Sequence, residues 1–171
     1  KKNILGVTLA RGGSKGIKNK NLTIINGKPL IYYTIKEAKK SKNITNYIVS
    51  TDNDKIRNIA QKYKAEVPFI RPKKFSKDSS SSASALKHSL IKCEKYYNKK
   101  FDYVVELMAT NPLKSVNDIN NIIKILLKYN ADSVIAVNQL FDHHPARIKK
   151  IINLLLNSLN LYHQLFKKNF L

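Results

Sequence analysis

The chain has 171 residues, 43% of them hydrophobic and including nine Tyr and six Phe, which is enough for one sizeable core and the length of a single domain or a domain with an appendage. Its single cysteine rules out an internal disulfide framework and fits a reducing compartment; no apolar run reaches the roughly 18 residues a spanning helix needs, and Lys1-Lys2 open no signal-like segment, so a soluble, cytoplasmic protein with no membrane partner is expected. The net charge of +21 comes from 32 Lys and Arg against 11 Asp and Glu, but it is almost all lysine, spread evenly through a chain crowded with Asn and Ile and lacking any aromatic-interleaved basic stripe, so AT-rich coding explains it better than a nucleic-acid surface, and no nucleic acid partner is expected.

In chain order, Ile4 to Ala10 (ILGVTLA) reads as a short buried strand ended by glycines. A charged loop follows, then an extended piece from Leu22 to Ile25 and a turn at Asn26-Gly27. Pro29 suits the first position of a helix, and Leu30 to Lys40 carries apolar residues at helical spacing. Tyr47 to Thr51 is a second strand; Asp52 to Lys64 is a helix that either Asp52 or Asn53 can cap. Val67 to Ile70 reads as a third strand, closed by Arg71-Pro72.

Lys73 to Ser82 is polar and serine-dense, which fits a flexible linker. The same serines run straight into an apolar helical pattern (Ala85, Leu86, Leu90, Ile91), which fits a capped helix start, with His88 an ordinary helix residue. Phe101 to Met108 is a fourth strand, Val116 to Tyr129 a helix and Ser133 to Val137 a fifth strand. Alternation of strands and helices at this spacing predicts an α/β fold: a doubly wound, mostly parallel sheet covered by helices. From Asp142 onward the pattern changes, and residues 143–171 contain no acid. Ile151 to Leu171 reads as one amphipathic helix, or as a tail that is not the natural continuation, so the expected division is a domain over 1–150 and a helical tail over 151–171.

Three of the five glycines fall within "ARGGSKGIKNKN", residues 10 to 21. A loop after the first strand of a parallel sheet lies at its carboxyl end, where ligands bind. Glycines let backbone amides approach a ligand, the Arg11 guanidinium forks onto phosphate oxygens and Lys15 adds a point charge. The stretch is therefore either a polyanion cradle or a tight basic turn. Its spacing matches neither the P-loop nor the dinucleotide fingerprint.

"LARGGSKGIKNKN" resembles the opening motif of the acylneuraminate cytidylyltransferases, the CMP-sialic acid synthetase family. "STDNDKI", "VPFIRP", "KDSSSS", "MATNPLKSVNDI" and "SVIAV" followed by "DHHPARIKK" recur in family order, so the resemblance covers roughly residues 2 to 150. "LMATNPLK" and "DHHPARIKK" are most similar to the enzymes of legionaminic-type sugars. The resemblance implies a Rossmann-like nucleotidyltransferase of the nucleotide-diphospho-sugar transferase type. It also implies a reaction: CMP passes from CTP to the anomeric hydroxyl of a nine-carbon 2-keto sugar acid, with release of pyrophosphate and Mg²⁺ as the usual cofactor.

Carried over by position, the nucleotide site would be Ala10, Arg11, Gly12, Gly13, Ser14, Lys15, Lys20, Asn21, Arg71 and Ser82, with Arg11 and Lys15 stabilising the reacting phosphates. Thr110 and Asn111 become the sugar candidates, because Met108 stands where many members have a glutamine. Asp52 lies at the same sheet edge, although helix capping explains it equally. His143 and His144 are readable as metal ligands, but the family's His-His-Pro piece lies near its dimer region, and family members are usually dimers. Members also run longer, and their late Asp-x-Asp pair, which holds Mg²⁺, has no counterpart here. The metal ligands are therefore unassigned. The expectation is an intact nucleotide half with an altered sugar and metal half; the alternative is a truncated, inactive nucleotide-binding fragment.

Overall fold

The computed structural model describes residues 2–14, 16–136 and the backbone of His163–Lys167. Its strands are β1 (Ile4–Leu9), β2 (Ile24–Ile25), β3 (Lys28–Pro29), β4 (Asn46–Ser50), β5 (Tyr103–Leu107), β6 (Ser133–Ile135) and β7 (His163–Lys167). The helices are α1 (Leu30–Lys40), α2 (Asp54–Lys62), α3 (Ser82–Tyr96) and α4 (Val116–Tyr129). The main sheet runs in the order β4-β1-β5-β7-β6. β1 is parallel to both β4 and β5, with Val7 opposite Ile48 on one side and Glu106 on the other. β7 is antiparallel to both β5 and β6, so the sheet is mostly parallel, as the sequence predicts.

Helices cover both faces, and the strand side chains divide between them. Leu5, Val7 and Val104 pack against Leu86, Leu90 and Cys93 of α3. Ile4, Tyr103, Val105 and Leu107 pack on the other face against α1, α2 and α4, whose Ile31, Ile56 and Ile122 are buried there. A strand buried on both faces needs apolar residues at successive positions rather than alternate ones, which is why β1 and β5 read as near-continuous apolar runs. Each fully buried Ile or Leu in these layers contributes roughly 1.5–3 kcal/mol of hydrophobic stabilisation.

Local chemistry sets the element ends. The Asn26-Gly27 turn between β2 and β3 has positive φ at both residues, 45° and 74°, as a type I′ turn requires. Pro29 precedes the first turn of α1 rather than entering it. The Asn53 side chain, not that of Asp52, caps α2 by accepting from the Ile56 N–H. α4 opens with a reciprocal capping box between Ser115 and Asp118 and closes at Asn130 in the left-handed region.

Two predicted elements also change. Val67–Ile70 is not a strand: the segment touches β4 only through single bridges, Ile48 to Glu66 and Thr51 to Ile70. Pro68 has no N–H to donate and interrupts a ladder between those two points. A helix over Ile151–Leu171 is also not what its described part forms, since His163–Lys167 is a strand in the main sheet. That strand bonds to β5 and β6 through its backbone, a pairing that local helical spacing does not reveal. Residues 10–21 and 108–115 leave β1 and β5 at the same end because those neighbouring strands are parallel.

Candidate functional site

A cleft of about 630 Å³ opens at that carboxyl end, with Leu9 among the residues that line it. Arg11, Ser14, Lys20 and Asn21 reach it from the loop after β1. Arg71 and Ser82, at the start of α3, line it as well, together with Glu106, Met108 and Thr110 from β5 and the loop beyond. Residues separated by almost a hundred positions therefore meet in one place, as a parallel sheet dictates.

The glycine loop is held in a way the sequence does not announce. The Gly12 N–H donates to Asp52 Oδ1 at 2.9 Å, so this amide is engaged within the protein. A Cβ at Gly12 would stand 2.6 Å from Asn53 Nδ2 and 2.8 Å from Asn53 Cβ. Glycine is required there for close approach to the α2 cap, not for approach to a ligand. Gly13 is exposed with open space around it. Ala10 is fully buried, and its N–H donates to the Ser50 carbonyl at 3.0 Å. Neither Ala10, Gly12 nor Gly13 is part of the cleft wall. Asn21 is buried and donates from Nδ2 to the Arg11 carbonyl at 3.1 Å, bracing the two ends of the loop. Lys15, His143 and His144 lie outside the described residues.

The cations of the cleft differ in setting. Arg11 is half-buried and pairs with Asp78, which ties the glycine loop to the serine segment. Arg71 is 3% exposed, and its Nε donates to Ser76 Oγ at 2.9 Å. Burial lowers its pKa; nearby Asp52 opposes that shift and nearby Arg11 adds to it. The serine segment is built structure and not a linker: Ser81 caps α3 by accepting from the Ser84 N–H at 3.2 Å, and Ser80 Oγ donates to the Lys74 carbonyl at 2.8 Å. His88 is more than an ordinary helix residue. Its ring sits between Phe69 and Phe75, at centroid distances of 5.3 and 4.8 Å, with both nitrogens buried and without a hydrogen-bond partner among the described residues. Burial, then the neighbouring cations Lys92, Arg71 and Lys74, push its pKa down.

The loop after β5 turns on Lys114, which is 2% exposed. Its Nζ donates to Thr34 Oγ1 at 2.6 Å, to the Met108 carbonyl at 2.9 Å and to the Asn111 carbonyl. Burial pushes its pKa down to about 7, against the pull of Glu37. Glu37 in turn accepts from the Val116 N–H at 3.0 Å, so α1 fixes both the loop and the start of α4. Thr110 lines the cleft; Asn111 is not part of its wall. Sequence reasoning missed Glu106, Asp78 and Lys114. For Glu106 a signal existed, a single acid inside the apolar strand YVVEL. Nothing local marks Lys114, whose partner Thr34 is 80 positions away.

Among the described residues, no group of three or more His, Cys, Asp or Glu is placed to hold a metal ion. Asp78 in the cleft is engaged by Arg11. These residues do not form a preformed Mg²⁺ cage. Among them, too, no helix is long and apolar enough to cross a membrane.

A family model described as Cytidylyltransferase matches residues 5–164, and the chain belongs to that family. The match runs past residue 150, where the resemblance and the expected domain end. The chain is similar to the post-translational flagellin modification protein B of Campylobacter coli, 36% identical over 152 residues, spanning 89% of this chain and 62% of that protein. It is also similar to the CMP-N,N'-diacetyllegionaminic acid synthase of Campylobacter jejuni, 38% identical over 109 residues, spanning 64% of this chain and 46% of that one. The chain thus spans about half to three-fifths of the length of these relatives. Among solved structures, a cytidylyltransferase from Leptospira borgpetersenii aligns with 99% of this chain and 62% of its own at a TM-score of 0.69 and 18% identity, a likeness of fold.

Proposed function

We propose that the protein transfers CMP from CTP to the anomeric hydroxyl of a nine-carbon 2-keto sugar acid of the sialic or legionaminic type, releasing pyrophosphate. The observation that carries this reading is the convergence of Arg11, Lys20 and Arg71 on one cleft, in a chain that belongs to the cytidylyltransferase family. In the reaction the sugar hydroxyl gives up its proton to solvent as its oxygen attacks the α-phosphorus, and the bond from that phosphorus to the bridging oxygen of pyrophosphate breaks. Negative charge grows on the phosphorus and on the leaving group. Fixed guanidinium and ammonium groups stabilise that charge, and the cleft aligns the two substrates. Thr110, on the β5 side of the cleft, is the candidate contact to the sugar.

The second reading is a nucleotide-binding unit without transfer. It is favoured by one observation: residues 143–171 carry no carboxylate side chain, so the Asp-x-Asp pair implied by family resemblance is not among them. Two measurements separate the readings. Calorimetric titration with CTP tests binding, and pyrophosphate release from CTP plus a panel of 2-keto sugar acids, with Mg²⁺ present, tests transfer. Release dependent on the sugar acid supports the transferase. CTP binding without release with any of them supports the second reading, and absence of CTP binding at millimolar concentration overturns both.

A further inference from the structure

The turn after β5 forms part of the cleft wall, which Met108, Ala109 and Thr110 line. Within the turn the backbone supplies one hydrogen bond, from the Asn111 N–H to the Met108 carbonyl at 3.3 Å, a long bond that holds it weakly. Lys114 supplies the rest. It is not part of the cleft wall and is withdrawn from water, with Nζ on the carbonyls of Met108 and Asn111, the first and last residues of the turn, and on Thr34 Oγ1 of α1. Thr34 is itself fully buried, and its hydroxyl donates to the Met108 carbonyl at 3.3 Å. One nitrogen therefore ties both ends of the turn to a helix residue 80 positions away.

Packing alone does not require an amine here. Withdrawing one from water is unfavourable, as the fall of the Lys114 pKa to about 7 records. An unbranched apolar side chain such as Met fills a similar space without that penalty, and exchanges of buried charged groups for apolar ones of similar volume are often neutral or stabilising. An apolar chain cannot hold two carbonyls at a fixed distance from α1. The helix does not depend on Lys114 for its place, because its Ile31 and Ile35 are in the core and its Glu37 accepts from the Val116 N–H at 3.0 Å. The element that depends on Lys114 is the turn, and the turn is cleft wall.

We propose that Lys114 is a positioning residue for the transfer reaction: by fixing the Met108–Asn111 turn against α1, it sets the wall against which the attacking hydroxyl and the α-phosphorus are aligned. The role rests on the transferase reading above, and it holds whichever substrate meets Met108 and Thr110, since alignment needs both. Displacement of a reacting group by about 1 Å costs on the order of 10²-fold in rate.

The test measures pyrophosphate release from CTP and the most active 2-keto sugar acid of the panel above, with Mg²⁺ present, in the full chain and in Lys114→Met, Lys114→Arg and Thr34→Val. Each protein is also melted thermally and titrated with inorganic triphosphate, which carries charge but neither base nor sugar. In Lys114→Met, kcat should fall roughly 10- to 100-fold, with KM for either substrate changed less than kcat. Its triphosphate affinity should stay within about twofold of the parent, because Arg11, Lys20 and Arg71 belong to other segments, and its melting temperature near that of the parent. Lys114→Arg still donates to carbonyls and should recover part of the lost kcat. Thr34→Val removes the anchor on α1 and leaves the lysine, so kcat should fall in the same direction; it decides the matter if Lys114→Met does not fold. A kcat within about twofold of the parent in both Lys114→Met and Thr34→Val overturns the proposal and leaves the transferase reading standing. A loss carried by KM alone also overturns it, because the wall then only holds substrate. So does a fall in kcat matched by an equal fall in triphosphate affinity and a lower melting temperature, because that is a general structural role. Absence of release from the parent with every sugar acid removes the transferase reading and this role together.

Discussion

The two loops that leave the neighbouring strands β1 and β5 hold their cations in opposite ways. After β1, Arg11 and Lys20 line the open cleft, and the backbone is held instead by short polar groups, Asp52 on the Gly12 amide and Asn21 on the Arg11 carbonyl. After β5, the lysine itself is the brace: Lys114 is buried with its Nζ on Thr34 and two backbone carbonyls. Burial lowers the Lys114 pKa to about 7 because desolvation disfavours the charged form. In these two loops, the cations that face the cleft stay partly in water, whereas the lysine that organises backbone is withdrawn from it.

The sharpest way to break this contrast is Arg11→Ala, which should weaken CTP binding roughly 10- to 100-fold by calorimetry while leaving the melting temperature near that of the parent. Next is Gly12→Ala. The added carbon would meet Asn53 at 2.6 Å, so overpacking should cost about 1–3 kcal/mol in a urea unfolding series. CTP affinity should fall with it if the glycine loop moves to relieve the clash.

Lys114 gives a pH signature. Its pKa falls from an ordinary 10.5 to about 7, so between those values the unfolded chain binds a proton that the folded chain lacks. Stability from this group therefore rises with pH from about 7 upward, by at most about 1.4 kcal/mol per pH unit. Cys93 acts oppositely above its ordinary 9.0, since burial pushes its pKa up to about 12. Urea melts from about pH 7 to just below 9 should show the rise in the parent and lose it in Lys114→Met; identical slopes would remove Lys114 as the titrating brace. The smallest effect belongs to Asp78→Asn. Arg11 and Asp78 are both partly exposed, 36% and 43% at the side chain, and such a pair is worth about 0–1 kcal/mol. Freeing Arg11 should therefore tighten CTP binding by no more than about fivefold.

Where structure follows from neighbours in sequence, it was legible. α1 and α4 span the expected residues because spacing and flanking signals agree: Pro29 precedes one, and the Ser115-Asp118 box opens the other. Strand direction put Arg11 at the cleft, and the family resemblance, carried over by position, put Lys20, Arg71, Ser82 and Thr110 with it. What was not legible depends on distant partners. Gly12 is explained by Asn53 and Lys114 by Thr34, contacts that exist only once helices have packed. Val67–Ile70 is apolar enough for a strand, but single bridges at its edges replace a ladder around Pro68.

The insertion of β7 between β5 and β6 has a consequence for synthesis and handling. Tyr103 pairs with Lys167, so the strand bearing Glu106 receives its second neighbour only after about sixty further residues have been made. On the ribosome, the nascent β5 presents a bare ladder of amides and carbonyls along that side, a template for pairing with another chain. Versions ended before residue 163 should keep that margin open at all times, so they should self-associate in proportion to concentration, and sedimentation would show it.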